Sequence, residues 1–139
     1  MNEKDFLFIE GFTASEVRAT GANLKDVQFR TLYSLGLMRG LLRVHYSNCK
    51  IRLLPNGLTT GKHKSPAHAR GDAVDWYSNK KIRDEDFIVC AAVSGFRDLG
   101  IYWNGKIKSY HTAIDQHADF WSGTKKTGET EWTYKPLIR

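Results

Sequence analysis

His68 and Asp75, seven positions apart, offer an imidazole and a carboxylate, both ordinary zinc ligands. They lie in the stretch Ser-Pro-Ala-His-Ala-Arg-Gly-Asp-Ala-Val-Asp-Trp, which runs from Ser65 to Trp76. Gly71 lets the chain turn sharply between them. Ala73 shares a strand face with Asp75, where a bulky side chain would crowd a metal, and Val74 points the other way into the core. A catalytic zinc site needs a third protein ligand and an open fourth position. His111 is the candidate, because strand alternation after Asn104-Gly105 puts it on one face with Ser109, Ala113 and Asp115. His117 replaces it if the register of that strand differs.

The same residues admit a plainer reading, since a His-x6-Asp pair arises by chance as surface residues or as a hydrogen-bonded couple. His45, near the end of a helix, reads as structural or exposed, and His63, in a basic loop, as solvated or substrate-facing. Trp76, Trp103, Trp121 and Trp132 read as core or rim aromatics, with one or two available to line a groove.

The positioning elements follow from periodicity. Between Asp26 and Arg43 the apolar residues Phe29, Leu32, Tyr33, Leu37, Met38, Leu41 and Leu42 recur mostly at three- and four-residue steps, which predicts an amphipathic helix despite Gly36 and Gly40. Cys49, Ile51 and Leu53 alternate with basic residues, a short strand that ends at the turn Pro55-Asn56-Gly57. A loop is expected from Leu58 to Arg70, then a strand over Ala73 to Trp76. Asp84 is placed to cap a second helix, whose apolar face of Phe87, Ile88, Ala91, Ala92, Phe96 and Leu99 stops at Gly100, where a left-handed cap belongs. Asn104-Gly105 between Ile101-Tyr102-Trp103 and an alternating run through Ile114 predicts a hairpin. The expected architecture is α+β, a small antiparallel sheet packed with two or three helices, as one domain over 1–139.

Composition narrows the partners. The chain of 139 residues is 41 % hydrophobic, enough for a core of its own. The net charge of +6 suits nucleic acid, bacterial cell wall or a membrane surface alike. Its lysines are scattered as Lys62 and Lys64, Lys80 and Lys81, Lys106 and Lys108, Lys125 and Lys126, so no nucleic-acid partner is expected. No apolar run reaches the ~18 residues of a membrane span, so no stable insertion is expected. The opening MNEKDFLFIEGF lacks the pattern of a secretory signal, and synthesis in a cytoplasm is expected. Cys49 and Cys90 share no metal-type spacing and read as buried free thiols.

The pattern Ser65, His68, Gly71, Ala73, Asp75 followed by a strand His resembles the zinc D-Ala-D-Ala carboxypeptidase and L-Ala-D-Glu endopeptidase family, which includes many small phage endolysins. The likeness is strong over residues 57–76. It is looser in the opening Phe8 to Glu16, in the helix carrying Arg39 and in the closing His111 to Trp121. The resemblance implies a DD-peptidase-like fold with the zinc at the sheet face, held by His68, Asp75 and His111. It also implies hydrolysis of a peptidoglycan stem amide by a monomeric phage lysis enzyme. Such an enzyme is made in the host cytoplasm and acts in the periplasm or wall after release.

Two positions depart from the family pattern. Many members carry a general base three residues before the last His, where this chain has Lys108. Asp115 is the expected replacement, with Asp119 and Glu131 as alternatives. The family's substrate-binding Arg after the first core strand has no clear counterpart among Arg52, Lys62 and Arg70. A non-catalytic zinc-binding domain of the same fold is the second reading, and a basic nucleic-acid binder without metal the third.

Overall fold

Alternation along the strands divides one sheet into a buried face and an open face, and the positions of Asp75 and His111 follow from that division. The computed structural model describes residues 1–61 and 65–137. Among these, four α-helices are present: α1 (Ala14–Ala19), α2 (Phe29–His45), α3 (Pro66–Ala69) and α4 (Asp84–Val93). Six strands are present: β1 (Ile51–Leu53), β2 (Ala73–Ser78), β3 (Asp98–Asn104), β4 (Ile107–Ala113), β5 (Asp119–Lys125) and β6 (Thr133–Pro136). Short 3-10 turns cover Glu3–Leu7 and Leu24–Asp26.

The strands form a single sheet in the order β1-β2-β4-β3-β5-β6. The architecture is α+β as expected. The described residues hold four helices where two or three were expected, because the short α1 and α3 are set by local caps at Thr13 and Ser65 rather than by apolar periodicity. The sheet is mixed. β3 and β5 run parallel, and every other neighbouring pair is antiparallel. The chain between β4 and β5 crosses over, which no hairpin signal in the sequence reports.

Val74, Trp76, Leu99, Ile101, Tyr110 and Thr112 sit on the buried face. Trp76 stacks on Tyr110 with ring centroids 4.4 Å apart, and Phe87 of α4 lies 4.6 Å from Tyr110. Leu32, Leu35, Met38 and Leu42 of α2 complete this core with no exposed surface. Large apolar side chains buried to this degree contribute roughly 1.5–3 kcal/mol each.

Four expectations about the helices are corrected. The first helix starts at Phe29, because Leu24–Asp26 forms a separate turn capped by Asn23. Its apolar residues do not share one face: Phe29, Tyr33, Leu37 and Leu41 are exposed. The second helix ends at Val93 rather than near Gly100, stopped at Ser94 and Gly95 (φ +102°). Phe96 and Leu99 continue its apolar spacing but belong to the connection and to β3, whose alternation buries Leu99 and Ile101 equally well. Asp84 is the first helical residue and not the cap, since its carboxylate bonds Lys108 at 2.6 Å.

Smaller shifts occur elsewhere. Cys49 precedes β1, β2 extends to Ser78, and the expected loop 58–70 contains α3. Asn104 pairs with Ile107, so Gly105 and Lys106 form the hairpin turn. Cys49 and Cys90 are buried and free. Among the described residues no helix is long and apolar enough to cross a membrane.

Candidate metal centre

Ser65 and Pro66 set the first ligand position. The Ser65 side chain accepts from the Ala67 amide at 3.2 Å, and Pro66 occupies the first helical position, where a missing N–H costs nothing. This short helix, α3, directs His68 inward with 2 % exposure. The His68 Nδ1–H donates to the Leu58 carbonyl at 2.6 Å, which leaves Nε2 as the lone-pair nitrogen. Gly71 then turns the chain at φ +74°, in a space where a Cβ would stand 2.0 Å from the Asp26 carbonyl oxygen. No other residue fits there.

Asp75 and His111 come from neighbouring strands and are direct Cα partners between β2 and β4. Ala73 lies two residues before Asp75 and Ala113 two residues after His111. With Ala67 they form a fully buried cluster of small side chains beside the site. The small side chain at Ala73 thus has two others packed with it, Ala67 and Ala113.

Among the described residues, one group of donors converges closely enough to hold a metal ion: His68, Asp75 and His111. Asp75 Oδ1 lies 2.9 Å from His111 Nδ1 and 3.4 Å from His68 Nε2, and the two nitrogens are 3.2 Å apart. Ligands bonded at the usual zinc distances in a tetrahedron stand about 3.3 Å from one another. Two imidazoles and one carboxylate on such a triangle could hold a metal ion.

The electrostatics show what a cation would replace. Burial by itself would lower the His111 pKa, but hydrogen bonds to Asp75 and Asp98, together with their charges, push it up to about 9. Burial would raise Asp75, yet the bonds from His111 and His68 bring it down to about 2. Without metal, a proton on His111 Nδ1 bridges to Asp75 within the donor triangle.

An open groove of ≈ 1590 Å³ leads to this site. Its aromatic wall is built from β3, β5, β6 and the residue before β6: Tyr102 meets Trp121 edge-on at 5.1 Å and Trp132 at 5.0 Å, and Trp121 meets Tyr134 at 5.6 Å. Burial, helped by the Asp75 charge, raises the pKa of the Tyr102 hydroxyl, so it stays protonated at neutral pH.

The remaining candidates fall in distinct places. Asp115 lines the groove, but its Oδ1 accepts from the Gln116 amide at 2.6 Å and its Oδ2 lies 3.6 Å from Arg70 Nη2. Asp119 and Glu131 are exposed on the groove rim. His117 and His45 are exposed and do not join the triangle. Arg52 is exposed on β1 opposite Tyr77, and Arg70 pairs with Asp72 and Asp115. Lys62 and His63 lie outside the described residues. Lys108 is on the buried face of β4, where its ammonium donates to the Ile82 carbonyl at 2.8 Å and to Asp84, between the rings of Trp103 and Tyr110.

No family model, curated protein or solved structure matches the chain. What the site can do must therefore be read from the donor geometry and its surroundings.

Trp121 and Trp132 line the groove, as expected of one or two of the tryptophans, but sequence reasoning missed Asp98 and the contact Trp121 makes with it. Asp98 Oδ2 accepts from His111 Nε2 at 3.3 Å, and Asp98 Oδ1 accepts from the Trp121 indole at 2.7 Å. Burial would raise the Asp98 pKa, but the bond and charge of His111 together with the Trp121 bond hold it below the usual carboxylate value. The signal was available: counting back from the hairpin turn places residue 98 on the face of His111. Reading 96–99 as helix concealed it.

Proposed function

We propose that this chain is a zinc-dependent peptidase that hydrolyses an amide of the peptidoglycan stem, with a DD-peptidase-like fold. The supporting observation is the donor triangle of His68, Asp75 and His111 at the floor of an open groove. The five residues that carried the family resemblance each have a physical role: Ser65 caps, His68 and Asp75 supply donors, Gly71 turns and Ala73 leaves space. A zinc ion held there supplies Lewis acidity, polarising a carbonyl and making water acidic near pH ~7.

The protein's own groups do the rest. The wall of Tyr102, Trp121, Trp132 and Tyr134 offers rings against which a sugar-peptide polymer lies. The Tyr102 hydroxyl, kept protonated, is a hydrogen-bond donor. Asp115, held beside Arg70, is the carboxylate assigned to take the proton. The net charge of +6 draws the protein to an anionic wall. The setting that the resemblance implies is phage-mediated lysis by a monomer, with the stem peptide as substrate.

One observation favours a second reading, a metal-binding module without catalysis. The residue at the family's base position, Lys108, is committed to Asp84 on the far face of the sheet, and Asp115 is engaged by Arg70 and a turn amide. Digestion of purified peptidoglycan by zinc-loaded protein, with and without chelator, decides between the two. The expected products are free D-Ala or peptides cut at a stem amide. Reducing sugar ends would overturn the peptidase assignment, since they report glycosidic cleavage. Zinc binding with no product from any wall would leave the module reading.

A further inference from the structure

The two histidines of the triangle present different nitrogens: His68 turns Nε2 toward the other donors, and His111 turns Nδ1. An imidazole can rotate to exchange them, so something must select the nitrogen in each case. For His68 the selector is the Leu58 carbonyl, which accepts from Nδ1–H. We propose that for His111 the selector is Asp98, a positioning residue held in place by the Trp121 indole. The proposal rests on the reading of the triangle as a metal site.

Three strands supply the parts. Gly100 of β3 is the Cα partner of His111 on β4 and of Trp121 on β5, so it lies between them. A Cβ at residue 100 would stand 2.4 Å from the Trp121 ring; the missing side chain lets the indole lie across the strand. The indole comes within 5.4 Å of the His111 ring and directs its N–H at Asp98 Oδ1, 2.7 Å away. Asp98 Oδ2 then faces His111 Nε2. An ionised carboxylate only accepts, so Nε2 keeps its hydrogen toward Asp98, and Nδ1, facing Asp75 and His68, is the nitrogen that gives up its proton to a metal. Asp98 is not itself a ligand, because it sits on the opposite edge of the ring from the triangle.

Asp98 thus accepts two donors, one on each oxygen. Asparagine in its place has one acceptor and one donor group, so with a metal on His111 Nδ1 and the hydrogen on Nε2, Asp98→Asn leaves one N–H facing another. Removing the indole N–H with Trp121→Phe relieves that conflict, because the carbonyl of the introduced amide is then free to serve His111 alone. A residue with a merely structural role gives no such rescue.

The test is zinc affinity, by competition against a chromophoric chelator, together with the visible spectrum of the cobalt(II)-substituted protein. Asp98→Ala is expected to weaken binding ~10–100-fold and to alter the cobalt spectrum. Asp98→Asn should lose affinity, and adding Trp121→Phe should recover a large part of that loss. Wild-type affinity in a folded Asp98→Ala overturns the proposal. If Asp98→Ala does not fold, the double variant decides: losses that simply add overturn the proposal, and recovery supports it. A wild-type chain that binds no zinc overturns the metal reading and this proposal together. A wild-type chain that binds zinc, with variants that bind equally well, overturns only the role of Asp98.

Discussion

Asp75 and His111 are Cα partners across β2 and β4, and their side chains meet at 2.9 Å on the open face of the sheet. Strand pairing itself therefore brings two of the three candidate metal donors together, and α3 adds the third. Replacing either strand residue should empty the site. Elemental analysis after dialysis should show one zinc per wild-type chain, most of it lost in Asp75→Ala and in His111→Ala. His117→Ala should keep its zinc, because His117 is exposed outside the triangle. Loss of metal in His117→Ala alone would show that the third ligand is wrong.

The metal-free protein should show a defined pH dependence. The folded pKa of His111 is about 9 against an ordinary 6.5, so its contribution is complete below about 6.5 and is lost as pH rises through about 9. Asp75, at about 2 against 3.8, contributes above about 3.8 and loses that contribution as pH falls toward about 2. These two groups thus favour the metal-free fold most between about pH 4 and 6.5. Its melting temperature should fall from about pH 6.5 to about 9, and His111→Ala should flatten that slope. Zinc affinity should rise over the same interval, because a proton leaves His111 as metal enters. A melting temperature that climbs across that interval would contradict the assignment.

Gly71→Ala tests the turn that separates the first two donors. A Cβ there meets both a left-handed backbone and the Asp26 carbonyl oxygen at 2.0 Å. Left-handed strain alone costs roughly 1–2 kcal/mol, and the clash adds to it. Thermal melts should show destabilisation of at least that size, with weakened zinc binding. A neutral substitution would mean that the turn is not constrained as described.

Asp115→Asn should lower turnover by ~10²–10⁴-fold at unchanged zinc content, the usual contribution of a positioned general base. Asp119→Asn and Glu131→Gln should have much smaller effects. Full activity in Asp115→Asn with loss in either control would move the base to the tail.

Lys108→Glu puts a carboxylate where the peptidase family that the sequence resembles carries its base, but should not raise turnover. The side chain would face Asp84 among Trp103 and Tyr110, on the side of the sheet away from His111. Denaturant melts should show a loss of about 1–3 kcal/mol. A gain in turnover would show that residue 108 reaches the groove.

The parts of the site that the sequence determined are local. The spacing of His68 and Asp75, the turn at Gly71 and the small residue at Ala73 are legible because a few consecutive residues set their own geometry. Strand alternation was enough to put His111, Ser109 and Ala113 on one face, and the structure showed Lys108 on the other, turned to Asp84. The tertiary structure decided what depends on neighbours distant in the chain. Apolar spacing from Phe87 to Leu99 satisfies a helix and a strand at different points; the chain leaves the helix at Ser94 and Gly95 (φ +102°), and Leu99 takes its place in β3 through pairing with β4 and β5. Pairing β3 parallel to β5 brings Trp121 across Gly100 to Asp98, a contact no periodicity encodes because a crossover separates the strands. The apolar side chains of α2 could not be sorted into buried and exposed by sequence either. Leu32 and Leu37 have the same side chain, and only the position of the sheet leaves one without exposure and the other 48 % exposed.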